Sequence, residues 1–179
     1  MRTALLALLL WLGFAAPVLA QTTVGTQILT LDQDRFYNGS LYGRALEAKS
    51  LAATQTLAAE NRQIESDLST EEAALTDRRA TMTPEAFAAA AAAFDDKVEG
   101  IRAAQKAKVE QLTLDRDAGR KLFFDAAVPV LADLMQQLGA YAILNHDAVI
   151  LSFDAIDVTA RAIAAIDTTL GDGTTAPAP

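Results

Sequence analysis

Hydrophobic and polar positions change rhythm several times along this chain. Met1-Arg2-Thr3 opens with a positive charge, an apolar run follows from Ala4 to Phe14, and Pro17-Val18-Leu19-Ala20 precedes the polar Gln21-Thr22-Thr23. A charged start, an apolar middle and a small residue before a cut after Ala20 make residues 1–20 a secretory signal peptide. The competing reading is an uncleaved anchor. The run is short for roughly 30 Å of hydrocarbon, and Pro17 with its small neighbours suits cleavage better. Val24 to Leu31 is short, β-branched and followed by polar residues, which predicts one strand. Asp32-Gln33-Asp34 caps a short helical piece through Tyr37, Asn38-Gly39-Ser40 breaks it, and Gly43 permits another bend. Residues 21–43 thus supply the N-terminal part of a small β body.

From Arg44 to about Ala80 there is neither Gly nor Pro. Leu57, Ile64, Leu68 and Leu75 recur at seven, four and seven, a heptad seam that also places Thr54, Asn61 and Glu71 on its line. Pro84 suits the first turn of a second helix with Thr83 as its N-cap, so a tip is expected near 81–84. From Glu85 to about Leu138 the heptad frame resumes through Phe87, Phe94, Val98, Ile101, Gln105, Lys108 and Leu112. Gly119 and Pro129 are places where this long helix can bend or be interrupted. Two long helices with a short turn fold back as an antiparallel hairpin over 44–138. Thirty-seven residues reach roughly 55 Å at 1.5 Å per residue, so the pair projects as an arm.

Gly139 ends the helix. Tyr141–Leu144 and Val149–Phe153 are β-rich runs flanking Asn145-His146-Asp147-Ala148, which predicts a β-hairpin. Asp157-Val158-Thr159 then starts a short helix with Ile163, Ile166 and Leu170 on one face. Residues 139–170 form the C-terminal part of the β body, and 171–179 a flexible tail. The fold class is α+β: a coiled-coil arm on a small β body. A body that small usually needs copies of itself for stability. The densest apolar segments, Ile28, Leu29 and Leu31 with Val149, Ile150 and Leu151, are where subunits are expected to meet.

Composition reinforces this division. Hydrophobic residues make up 51% of 179, yet 38 of them are alanine, which favours helix but buries little area. Zero cysteine excludes disulfides, thiolate metal sites and a cysteine nucleophile. His146 is the only histidine and sits in a predicted turn, so neither a common metal site nor a Ser–His arrangement is expected. Asp32/Asp34 and Asp115/Asp117 lack the glycine and terminal glutamate of a calcium loop and are read as caps or solvated faces. Asp157 and Thr159 are read as capping residues. Arg78/Arg79 are read as a solvated tip, with contact to anionic groups as the less favoured alternative. Asn38-Gly39-Ser40 has the form of a glycosylation acceptor and is taken as a turn. The net charge is −8, and from Leu122 onward one basic residue, Arg161, faces seven acids. With no basic stripe, nucleic acid is not an expected partner.

Taken together, the leader, the strand Gln27-Ile28-Leu29-Thr30-Leu31, the paired charged and alanine-rich helices and the closing pattern resemble the Skp/OmpH-like periplasmic chaperones of the Gram-negative envelope. The closing pattern is Ala148-Val149-Ile150-Leu151-Ser152-Phe153 followed by Asp157-Val158-Thr159 and a terminal helix. The resemblance implies a periplasmic homotrimer with a central β-barrel and three hanging arms. Its cavity would hold unfolded outer-membrane β-barrel proteins, with no catalytic residue, cofactor or metal. The best-known members are strongly basic at their arm tips. This chain is acidic, so lipopolysaccharide and anionic lipid are not expected partners. A holdase needs weak, dispersed apolar contacts and must resist its own collapse, and a thin, alanine-rich seam interrupted by Asn61, Gln105 and Lys108 suits that. Phe87, Phe94, Val98 and Ile101 are the expected client contacts, against the plainer reading that they pack only within the hairpin. A structural or adaptor coiled coil of the envelope is the alternative function, and a secreted enzyme the least favoured.

Overall fold

The structure, a computed structural model, describes residues 27–174. The leader at 1–20, the start of the first strand at 24–26 and the tail at 175–179 lie outside the described residues. β1 (Gln27–Leu31) runs into α1 (Gln33–Gly39), whose N-cap Asp32 accepts from the Arg35 N–H at 2.9 Å. Ser40 then both ends α1 and caps α2 (Leu41–Arg78). Its Oγ donates to the Tyr37 carbonyl at 3.0 Å and accepts from the Gly43 N–H at 3.0 Å. Gly43 is therefore no bend. It lies inside α2, where a Cβ would sit 1.8 Å from the Tyr37 carbonyl oxygen, and only glycine lets the two helices approach so closely.

A short 3₁₀ turn, Arg79–Thr81, forms the tip, and Thr83 caps α3 (Pro84–Gln137) by accepting from the Ala86 N–H at 3.2 Å. At about 1.5 Å per residue, the 54 residues of α3 span roughly 80 Å. α3 continues through both Gly119 and Pro129 without interruption. The two helices run antiparallel: Glu71 pairs with Lys97 near the tip, and Glu60 with Lys108 lower down. At the root, Asp34 of α1 pairs with Arg120 at 2.5 Å.

β2 (Ala140–Asn145) lies parallel to β1, with Ile28 opposite Ala142 and Leu31 opposite Asn145. Parallel neighbours need a crossover connection, and here the whole arm is that crossover. The β-hairpin expected over 141–153 is corrected. His146–Ala148 forms a 3₁₀ turn closed by the Val149 N–H donating to the His146 carbonyl at 3.0 Å. The Asn145 side chain caps this turn by accepting from the Asp147 N–H at 3.3 Å, so the backbone coils there and does not reverse along β2. Val149–Phe153 thus leaves the sheet as an unpaired segment that bends at Ile150 and Leu151. A second 3₁₀ turn, Asp154–Ile156, brings the chain back to the other edge of β1, where the Val158 N–H donates to the Thr30 carbonyl at 2.9 Å.

α4 (Thr159–Leu170) closes the body by burying Ala162, Ile166 and Leu170, while Ile163 is half-buried. Its face packs on Phe123, Ala127, Val130 and Leu134 of α3, spaced four, three and four, and on Phe36 and Tyr37 of α1. Phe36, Tyr37 and Tyr42 ring Phe123 at centroid distances of 5.2, 5.0 and 5.6 Å. Burial, with the Glu47 carboxylate beside it, pushes the Tyr37 hydroxyl up to about 12. The first part of the expected tail is corrected too. Gly171–Thr174 forms hydrogen-bonded turns, and Gly173 lies directly against the Tyr42 ring.

Candidate functional site

The closing motif is structural. Asp157 accepts from both the backbone N–H (2.8 Å) and the hydroxyl (2.5 Å) of Thr159, and the Thr159 Oγ1 accepts from the Asp32 N–H at 2.9 Å. Burial pushes the Asp157 carboxyl up, but these two Thr159 bonds, with Arg35 nearby, hold it below the usual carboxylate range. Asp–Val–Thr thus starts α4 and ties it to the β1–α1 junction.

The expected subunit-contact residues divide into two groups. Leu29 and Leu31 are only 4% exposed and belong to the protomer's own core, because their side of β1 faces α3 and α4. The expectation that they meet a partner is corrected to that extent. Ile28 is exposed, Val149 is half-buried, and Ile150, Leu151 and Phe153 stand at 105%, 89% and 83% exposure. A cleft of ≈ 340 Å³ between β2 and α3, lined by Phe124, Val128, Leu131, Met135, Ile143 and Leu144, opens on the same body.

Along the arm, Phe87, Phe94, Val98 and Ile101 are all half-buried. Phe87 lies at the tip with the Arg79 guanidinium 5.3 Å from its ring centroid. The other three form, with Ile64 and Leu68, the floor of a groove of ≈ 1010 Å³ on one flank of the helix pair. Its rims carry Asn61, Glu65, Ser69 and Glu72 from α2, and Asp95, Glu99 and Arg102 from α3. The opposite flank is closed by the Glu71–Lys97 and Glu60–Lys108 pairs. Those carboxylates stand eleven residues apart, as do those lysines, and eleven residues return an α-helix to nearly the same face. Hydrogen bonds from Lys108 and then Gln105 hold Glu60 below the usual carboxylate range. The Gln105 amide donates to Glu60 Oε1 at 3.1 Å, which leaves its own carbonyl oxygen buried and without a partner at the end of the groove.

Thr54 and Asn61, expected on the seam, are exposed, while Glu60 takes the half-buried position and Lys108 reaches it from an exposed one. A straight helix drifts by about 20° per heptad against a strict 3.5 repeat, which shifts which neighbour faces inward. The acidic rim was missed at the sequence level. Its only signal there is the spacing of Glu65 with Glu72 and of Asp95 with Glu99 along one face.

His146 is exposed and begins a 3₁₀ turn. Asp34 pairs with Arg120, Asp115 accepts from Gln111 at 2.7 Å, and Asp117 stands 3.9 Å from Arg116. Arg78 donates to the Ala74 carbonyl of its own helix. Among the described residues, no group of three or more His, Cys, Asp or Glu is placed to hold a metal ion, and no helix is long and apolar enough to cross a membrane.

A chain from Caulobacter crescentus CB15, described as an outer membrane chaperone (OmpH-like) and solved at 2.83 Å, superposes with a TM-score of 0.78 at 20% identity. The match covers 96% of this chain and 98% of that one, so the two share a fold. No curated protein matches this sequence significantly. The family model for outer membrane protein (OmpH-like) matches residues 27–166, from the first residue of β1 into the third turn of α4. The chain therefore belongs to the OmpH-like outer membrane protein family.

Proposed function

We propose that this protein is a periplasmic holdase chaperone that binds unfolded outer-membrane β-barrel proteins between helical arms and keeps them from aggregating. Family membership supports the chaperone role. The observation that carries the finer reading is the arm. Its two helices, 38 and 54 residues long, extend far beyond the body, and between Gly43 and Phe123 they fully bury Leu57 and Leu75 alone, leaving other apolar side chains half-open. The reading needs neither a catalytic residue nor a cofactor.

The same proposal includes self-association, as a trimer around joined β bodies. Ile28, Ile150, Leu151 and Phe153 support it, since large apolar side chains exposed on one body are costly in water. The cleft beside β2 supplies an apolar surface on the same body for a second copy to cover. Secretion by cleavage after Ala20 completes the reading. The decisive experiment dilutes a urea-denatured outer-membrane barrel into buffer with the mature protein. Suppression of light scattering at a molar excess of trimer is expected, and undiminished aggregation removes the holdase reading. Sedimentation of the same sample gives a trimer if the body assembles as proposed. Ile150→Asp/Leu151→Asp shifts it to monomer.

A further inference from the structure

We infer that the open flank of the arm is a binding groove for extended polypeptide segments that mix apolar residues with lysine or arginine, so that this chaperone selects cationic stretches of its clients. The inference rests on the holdase reading and names the chemistry that one surface of it prefers. The floor, Ile64, Leu68, Phe94, Val98 and Ile101, offers an apolar strip that the two helices leave half-open. From the level of Gln105 and Asn61 to that of Phe94 and Glu72 the groove follows eleven residues of helix, or about 17 Å. An extended chain covers that distance in about five residues, and its side chains alternate between floor and rim.

The rim decides the charge of the occupant. Glu65, Glu72, Asp95 and Glu99 form no ion pair among the described residues, and Arg102 is the single base beside them. The same helices do pair their carboxylates on the other flank, with Lys97 and Lys108. Acidity is thus left uncompensated on the side where the apolar floor is open. Four carboxylates around a low-polarity strip raise the local concentration of cations and repel anions. Lysine-rich or arginine-rich apolar segments satisfy floor and rim together, whereas an anionic segment meets the rim as repulsion.

The test uses the mature full chain and three labelled peptides of equal length, with the same apolar residues spaced by Lys, by Gln or by Glu. Fluorescence anisotropy is expected to show the Lys peptide binding about tenfold tighter than the Glu peptide near 0.1 M salt. That difference should fall to about twofold near 1 M salt, where the Debye length shrinks from about 10 Å to about 3 Å. The variant Glu65→Gln/Glu72→Gln/Asp95→Asn/Glu99→Gln should remove the preference while keeping affinity for the Gln peptide. Neutralising four exposed carboxylates away from the groove, Asp77, Asp96, Glu110 and Asp133, should leave it intact. A photoreactive side chain at Ser69, on the rim, should crosslink the Lys peptide, and one at Gln63, off the groove, should not. Equal affinity for all three peptides overturns the inference, as does equal loss in both neutralised variants, because net charge and not the groove would then be responsible. The two readings also fail separately. Suppression of barrel aggregation without charge preference removes the groove alone, whereas Lys-peptide binding without suppression removes the holdase reading alone.

Discussion

The body and the arm are built from one chain by different means. In the body, Phe36, Phe123, Ala127, Ala162 and Ile166 are sealed from water, and aromatic rings meet edge to face around Phe123. In the arm, Leu57 and Leu75 alone are buried in α2 beyond Gly43, and no residue of α3 is buried before Phe123. The body is held by burial, at about 1.5–3 kcal/mol for each large side chain fully removed from water. The arm is held by a thin seam, by the cross-helix Glu71–Lys97 and Glu60–Lys108 pairs, by alanine propensity and by local pairs four residues apart, such as Gln63–Asp67, Lys106–Glu110 and Gln111–Asp115, each local pair of a kind that contributes about 0.2–0.5 kcal/mol. Under the proposed holdase function, a long surface open to unfolded chains cannot also be a packed core. Burial is concentrated at the root of the arm, and the reach of the arm is left weakly braced.

The largest effect that can break this contrast comes from the body. Phe123→Ala removes the ring at the centre of the aromatic cluster and should cost about 3–5 kcal/mol, read as a lower urea midpoint. If the arm depends on the body, its helical signal is lost in the same transition. Separate transitions would show that the arm stands alone. Gly43→Ala comes next. Its Cβ meets the Tyr37 carbonyl, so the α1–α2 corner must open and the Ser40 bonds must stretch. A cost of about 2–3 kcal/mol is expected, and an unchanged midpoint would show that the corner adapts freely.

The arm was largely legible in the sequence, because a helix advertises itself by period. Thr83-Pro84 marked a start, and Leu57, Ile64, Leu68 and Leu75 marked a face. The body was less legible, because its key contacts join residues far apart. Nothing near Gly43 reveals that Tyr37 presses on it. The pairing of β1 with β2 spans the whole arm, and the apolar run Val149–Phe153 looked like a strand although no strand in the same protomer receives it. The groove floor was legible as a hydrophobic stripe. Its acidic rim was not, because charge on a helix flank reads as ordinary solvation until the partner helix shows which charges are paired.

Smaller perturbations sharpen the contrast from the arm side. Leu57→Ala should cost about 2 kcal/mol, at the low end for a leucine, since a two-helix seam can partly collapse around the gap. Its consequence should be local, with faster amide exchange in α2 and in α3 ahead of Leu122 and unchanged protection in α4. Uniform loss of protection would mean that arm and body unfold as one unit.

Acidification is the gentlest probe, and its sign follows from Glu60. Lys108 and Gln105 depress this carboxyl in the folded arm, so its contribution is fully present above its unfolded value, near 4.5, and is lost as pH falls through the lower folded value. Protonation weakens the bond to Lys108 and loosens the flank that the lysine pairs hold shut. Asp157 is also held low, so the body feels acid as well. The two are separated by substitution: Glu60→Gln should remove the acid sensitivity of amide exchange around Glu60 and Lys108 and leave that of α4 unchanged. If acid sensitivity near Lys108 survives in that variant, the closed flank is not held by this pair, and the asymmetry between the two sides of the arm must come from the seam itself.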